Sequence, residues 1–183
     1  YDPAADVYRT FVVAEGKFSK LAQGPMANHS LGIKTDGTLW AWGANSRGQL
    51  GNGANIDSHA IVKIGTVNTW NVAAVGGEFS AAIRTNGTLW TWGRNTDGQL
   101  GLGDNTDRSA PTQVGALTTW TQVAAGNNFI IARKTDGTLW AWGGNASSQL
   151  GLGDMLSRNT PTQIGVSTTW SSIAAGSDHV IAR

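Results

Sequence analysis

The 183-residue chain contains no cysteine, four prolines, two tyrosines and two methionines. Without cysteine there are no disulfide staples and no thiolate metal sites, and either redox compartment suits the chain. Charge is scarce too. Only 14% of residues are charged, and 13 Lys+Arg against 12 Asp+Glu leave a formal net charge of +1. That balance gives no electrostatic footprint for nucleic acid or an anionic membrane, so neither is expected as a partner. No apolar run approaches the roughly 20 residues that span a bilayer. Tyr1-Asp2-Pro3 does not read as the opening of a signal peptide.

Glycine and tryptophan are present in excess: 25 Gly and 9 Trp in 183 residues. The Gly content is about twice average usage. Internal repetition accounts for both. Trp40, Trp90 and Trp140 are 50 residues apart, as are Trp42, Trp92 and Trp142, and Trp70, Trp120 and Trp170. Residues 70–119 and 120–169 align without a gap and share 26 of 50 positions. Residues 20–69 follow the same register, a partial fourth copy covers 170–183, and residues 1–19 do not match the repeat. A period near 50 points to propeller blades rather than helical solenoids.

One period reads as four strands. Trp70–Val75, with its copies Trp120–Ala125 and Trp170–Ala175, is short and Ala-rich, as suits the crowded axis of a propeller. Phe79–Arg84 reads as a second strand. Asn86-Gly87, matched by Asp36-Gly37 and Asp136-Gly137, marks a hairpin with φ > 0 expected at both turn residues. Thr88–Gly93 alternates, placing Leu89 and Thr91 on one face and Trp90 and Trp92 on the other, where the indoles would fill the gap between blades. A Gly-containing loop, Asn95 to Pro111, leads to an outer strand opening at Pro111. No segment carries a helical period. The expected fold is all-β: propeller blades of four antiparallel strands and about 50 residues each.

The string Trp90-x-Trp92-Gly93-x-Asn95-x-x-Gly98-Gln99-Leu100-Gly101-x-Gly103 recurs at Trp40–Gly53, and at Trp140–Gly153 with Ser148 in place of the first loop Gly. It resembles the signature of the regulator-of-chromosome-condensation repeat family, and the Thr-Asp-Gly-Thr-Leu-Trp-Ala-Trp-Gly copies look most like its bacterial or phage branch. The resemblance implies a seven-bladed ring, of which this chain would form about half. Either further repeats in a longer chain complete that ring, or a second copy does, as a homodimer. In the second case Val7–Ala14 could supply the closing strand for the last half-blade.

No catalytic constellation emerges. His29 and His179 share a register with Phe79 and Phe129, which reads as a packing position. Asp104-Asn105-Thr106-Asp107 offers oxygens at short spacing, but its equivalents Ala54-Asn55-Ile56-Asp57 and Asp154-Met155-Leu156-Ser157 do not keep the pattern, and side-chain turns explain it better than calcium. No metal, no cofactor and no enzyme activity are expected. Asn45, Asn95 and Asn145, with Gln49, Gln99 and Gln149, read as amides that fix their loops by bonding to backbone.

Positions that vary between copies mark candidate recognition residues, because loops on a rigid scaffold carry binding. These are Arg47, Arg94, Asp97, His59, Asp107, Arg108 and Arg158. The three arginines 47, 94 and 108 would serve as anchors. The expected function is a non-catalytic scaffold binding a protein or a surface glycan, within a secreted or virion-borne structural or adhesion protein, at an extracellular or virion surface. The alternative is an inhibitor or exchange-factor-like module acting on one enzyme or GTPase.

Overall fold

The structure is a computed structural model describing residues 17–183. The closing-strand segment Val7–Ala14 lies outside the described residues. Fourteen strands and no helix make up the described chain. The first sheet runs β1 (Phe18–Ala22), β2 (His29–Lys34), β3 (Leu39–Gly43), β4 (Ser58–Lys63). The second runs β5 (Trp70–Val75), β6 (Phe79–Arg84), β7 (Leu89–Gly93), β8 (Arg108–Gln113). The third runs β9 (Trp120–Ala125), β10 (Phe129–Lys134), β11 (Leu139–Gly143), β12 (Arg158–Ile164). A two-stranded sheet, β13 (Ile173–Ala175) and β14 (Val180–Ala182), follows. Every pairing is antiparallel between sequence neighbours, so each sheet is a meander. The first strand of one sheet packs against the first strand of the next, β1 on β5 and β5 on β9, which sets the sheets as consecutive blades of a partial ring.

The structure revises four details. Both-positive turn dihedrals are not found. Among the described residues Ser148 is the one non-glycine with positive φ, so Asp36, Asn86 and Asp136 stay on the negative side. The hairpin instead has a three-residue loop: Gly37 N–H donates to Lys34 O at 2.9 Å and Lys34 N–H to Thr38 O at 3.0 Å, with Gly37 alone at φ 79°. That is a type I turn closed by a glycine bulge, whose twist also suits the strands. Second, blade one begins earlier than the Trp spacing indicates. Phe18 pairs with Lys34 as Trp70 pairs with Arg84, so Phe18 holds the Trp70 position and residues 18 and 19 belong to the blade. Third, the outer strand starts at Arg108, leaving Pro111 inside an edge strand, where its missing donor faces away from the ladder. Fourth, the fourth copy's first strand is only Ile173–Ala175. In the second blade Trp70 leans on Trp90 and Trp92, and in the third Trp120 leans on Trp140 and Trp142.

Both faces of a middle blade are core. Leu89 and Ile83 pack toward blade three, with Trp120, Val123 and Trp142. Trp92 and Ala82 pack toward blade one, with Leu31, Leu39 and Leu50. Trp92 and Trp142 are fully buried, and each indole ties one blade to its predecessor: Trp92 Nε1 donates to Gln49 O at 2.9 Å, Trp142 Nε1 to Gln99 O at 3.1 Å. Trp42 is half-buried and lies 6.0 Å from the Phe18 ring. Gly51 packs its Cα under the Trp92 indole, and an added Cβ would lie 2.6 Å from Nε1. Backbone bonds repeat the tie, Gly53 N–H to Ser109 O at 2.9 Å and Gly103 N–H to Asn159 O at 2.8 Å.

The other indole of each pair closes a short relay. Asp36 Oδ1 accepts from Thr38 Oγ1 at 2.6 Å, and Thr38 Oγ1 accepts from Trp40 Nε1 at 2.8 Å. Asn86–Thr88–Trp90 and Asp136–Thr138–Trp140 repeat it. The recurring Asp/Asn-Gly-Thr-Leu-Trp string is therefore one hydrogen-bonded unit, with a cation stacked on its indole: Lys34, Arg84 and Lys134 lie 3.9, 3.8 and 3.4 Å from the Trp40, Trp90 and Trp140 ring centres.

Two stability outcomes follow. Trp92→Ala and Trp142→Ala should each cost about 3–5 kcal/mol, the range for a large buried aromatic. Denaturant midpoints would compare them. Ser148→Gly should stabilise by about 1 kcal/mol, because Ser148 holds φ 57° where a side chain is disfavoured.

Candidate binding surface

The loops joining third to fourth strands, residues 44–57, 94–107 and 144–157, are built around one buried asparagine each. Asn45 Nδ2 donates to Ala54 O at 2.9 Å and Ile56 O at 3.0 Å, and its Oδ1 accepts from Leu50 N–H at 2.9 Å. Asn95 and Asn145 repeat this with Asp104 O and Leu100 N–H, and with Asp154 O, Leu156 O and Leu150 N–H. Gln49, Gln99 and Gln149 each accept from the backbone N–H two residues before them. All three asparagines are fully buried. Such amides satisfy loop backbone that would otherwise be buried without partners.

The structure places the candidate charges on and around these loops, engaged in internal contacts. Arg47 reaches Asp107 of the next blade at 3.6 Å, bringing together two residues 60 positions apart. Asp107 also accepts from Asn95 N–H at 2.7 Å, as Asp57 does from Asn45 N–H, so its carboxylate braces the loop. Arg94 pairs with Glu78 at 3.0 Å and bonds Thr96. Asp97 accepts from Thr96 Oγ1 at 3.4 Å. Arg108 and Arg158 pair with Asp104 and Asp154 at 2.6 Å, four residues back in each loop. Both carboxyls are held below the ordinary range, first by a backbone N–H (Thr106 or Leu156), with the arginine adding to it. Asp104 thus accepts from Asn95, from Thr106 N–H and from Arg108. His59 stands apart, exposed on β4 at the position whose blade-two equivalent, Ser109, accepts the bond from Gly53. No cluster of three metal-ligating side chains occurs among the described residues.

Sequence reasoning missed Glu78 and the exposed apolar loop tips, Ile56, Met155 and Leu156. The tips were legible as variation: Thr106 holds the place of Ile56 and Leu156 in the middle copy.

Beneath the loops, at the junction of blades one and two, His29 is buried. Its Nε2 is 2.8 Å from Ser80 Oγ, which donates to Gln49 O at 2.8 Å, the same carbonyl that receives the Trp92 indole. Nδ1 is buried without a partner. Desolvation pushes His29 from 6.5 down to about 4, only partly opposed by the nearby Phe79 backbone. The side chain is a packing element.

Comparison with known proteins agrees with this architecture. The Regulator of chromosome condensation (RCC1) repeat matches residues 86–133 and 136–183, and a second version of the same repeat matches 27–49, 72–99 and 120–149. Protein RCC2 homolog of Danio rerio is 46% identical over 46 residues, 25% of this chain and 9% of that protein. Protein RCC2 of Homo sapiens is 54% identical over 33 residues, 18% of this chain and 6% of that protein. Human WBSCR16 superimposes with a TM-score of 0.82 at 22% identity, over 93% of this chain and 45% of that one. Prp20p of Saccharomyces cerevisiae, described with its binding to Gsp1p and histones, gives 0.80 at 21%, over 90% and 43%. The chain thus spans under a tenth of the length of these curated relatives and under half of these solved structures. At such identities the solved structures establish the fold.

The buried histidine makes acid sensitivity testable. Its folded value lies below its unfolded one, so its stabilising contribution is complete above pH 6.5 and is lost as pH falls toward about 4. The loss should be on the order of 3 kcal/mol. His29→Phe, the residue at positions 79 and 129, should flatten the pH 4–6.5 slope of the unfolding free energy.

Proposed function

The chain belongs to the Regulator of chromosome condensation (RCC1) repeat family, and from that premise we propose that it serves as a non-catalytic, protein-binding segment of a β-propeller. One observation carries the reading. The loop bases are pinned by fully buried asparagines, while their tips expose apolar side chains that differ between copies: Ile56 is 77% exposed, Met155 63% and Leu156 66%. A rigid frame with variable apolar tips suits recognition of another protein, because little entropy is lost on binding and each tip can fill a pocket. The arginines proposed as anchors, Arg47, Arg94 and Arg108, contribute charge already balanced by Asp107, Glu78 and Asp104.

Protein binding is the property described for the yeast structural neighbour, with Gsp1p and histones. A net charge of +1 provides no acidic surface for basic histones, so a partner met mainly through apolar and hydrogen-bonding contacts fits better. A surface glycan in a secreted or virion setting is the competing ligand class.

The test is interferometry of the folded chain against a panel of purified proteins that includes Gsp1p and core histones, beside a glycan array. Saturable protein binding, weakened at least tenfold by Ile56→Ser/Met155→Ser/Leu156→Ser with circular dichroism unchanged, is the expected outcome. Glycan binding alone, or protein binding indifferent to these tips, would overturn the reading.

A further inference from the structure

Clefts recur where one blade meets the next, and their linings differ in one informative respect. The cleft between blades one and two, about 340 Å³, lies between the β4–β5 connection and the outer strand of blade two. Trp70, Val67 and Pro111 give it apolar walls, and Lys63 and Arg84 give it two cations. The equivalent cleft between blades two and three, about 370 Å³, keeps the walls as Trp120, Leu117 and Pro161. There Gln113 replaces Lys63, Leu102 replaces Asn52, and a buried lysine, Lys134, replaces the half-buried Arg84. The same frame thus has a cationic version and a more apolar one.

Among the described residues no acid pairs with either cation of the first cleft. Every other arginine on the blade-two loops has an acid within 4 Å, whereas neither Arg84 nor Lys63 has an ion pair among the described residues. Asp36 feels the Lys63 charge only at a distance. Arg84 lies 3.8 Å from the Trp90 ring centre and 4.6 Å from Trp70, and its Nε is buried without a partner. Desolvation lowers its pKa, and the two indoles are what offset that cost, with no acid paired to it among the described residues. Stacking covers the face of a guanidinium and leaves its edge donors, the geometry that receives a carboxylate in bidentate fashion.

We propose that this cleft takes an acidic side chain from an extended protein segment, with the segment's neighbouring apolar residue packed over Val67 and Pro111. The occupant's class follows from charge complementarity together with the apolar walls. The volume suits one or two side chains of a peptide rather than a folded surface. The inference rests on the protein-binding reading but uses a surface separate from the loop tips.

The test titrates the intact chain with capped tripeptides, acetyl-Leu-Glu-Leu-amide, its Gln analogue and its Lys analogue, following the tryptophan indole ¹H–¹⁵N signals. The Glu peptide should shift Trp70 and Trp90 saturably, bind at least fivefold tighter than the Gln peptide, and weaken in high salt. The Lys peptide should not bind. Lys63→Gln/Arg84→Lys gives the first cleft the residues of the second and keeps a cation on the indoles; it should weaken the Glu peptide at least tenfold without changing thermal stability much. Equal binding of Glu and Gln peptides, unchanged affinity in that variant, or shifts confined to Trp120 and Trp140 would overturn the proposal. Failure here with partner binding still lost in the loop-tip variant removes the cleft alone; loss of both removes the protein-binding reading.

Discussion

The structure depends on how one blade grips the next. A four-stranded meander has two faces, and in an isolated sheet at least one would be wet. Here both faces of blade two are core, so no blade is complete without neighbours. The grip centres on a single backbone carbonyl, Gln49 O, which accepts from the Trp92 indole and from Ser80 Oγ, with His29 bonded behind it. One junction on, Gln99 O receives Trp142, and Ile130 occupies the place of Ser80. The buried indole contributes most through its area. The hydrogen bond fixes its orientation and satisfies a polar group that is otherwise costly to bury.

That grip also explains the loop design. Gln49 can present its carbonyl only if the loop between third and fourth strands keeps its shape, and the buried Asn45 amide holds that shape by bonding four backbone or side-chain groups. Gly51 must be glycine twice over: φ is 78°, and the Trp92 ring occupies the space of a side chain. The residues that make the fold and those free to vary are thus segregated within one loop. The base serves the next blade, and the tip is available for recognition.

Much of this was legible in the sequence because the repeats provide internal comparison. Strand order, the Trp wedge and the loop-fixing amides follow from what recurs at 50-residue spacing. What escaped has physical causes. Phe18 was hidden because the β1–β2 connection is two residues longer than its copies, so its alignment with Trp70 shifts. The turn type was misread because Asp-Gly serves both a two-residue turn and a three-residue turn with a glycine bulge; Lys34–Thr38 bonding separates them. The candidate arginines read as free charge because their acids lie across a turn or a junction, as Asp107 does from Arg47. The hub at Gln49 is a backbone oxygen, and backbone oxygens carry no residue signature.

The second indole of each Trp pair is what holds a blade to its predecessor. Hydrogen exchange at the indole Nε1–H groups tests this directly, since Trp92 and Trp142 bond a carbonyl of the preceding blade whereas Trp90 and Trp140 bond a threonine of their own hairpin. Trp92 and Trp142 should exchange slowly, at rates limited by global or blade-level opening, and Trp90 and Trp140 orders of magnitude faster. Similar exchange at all four would contradict the claim.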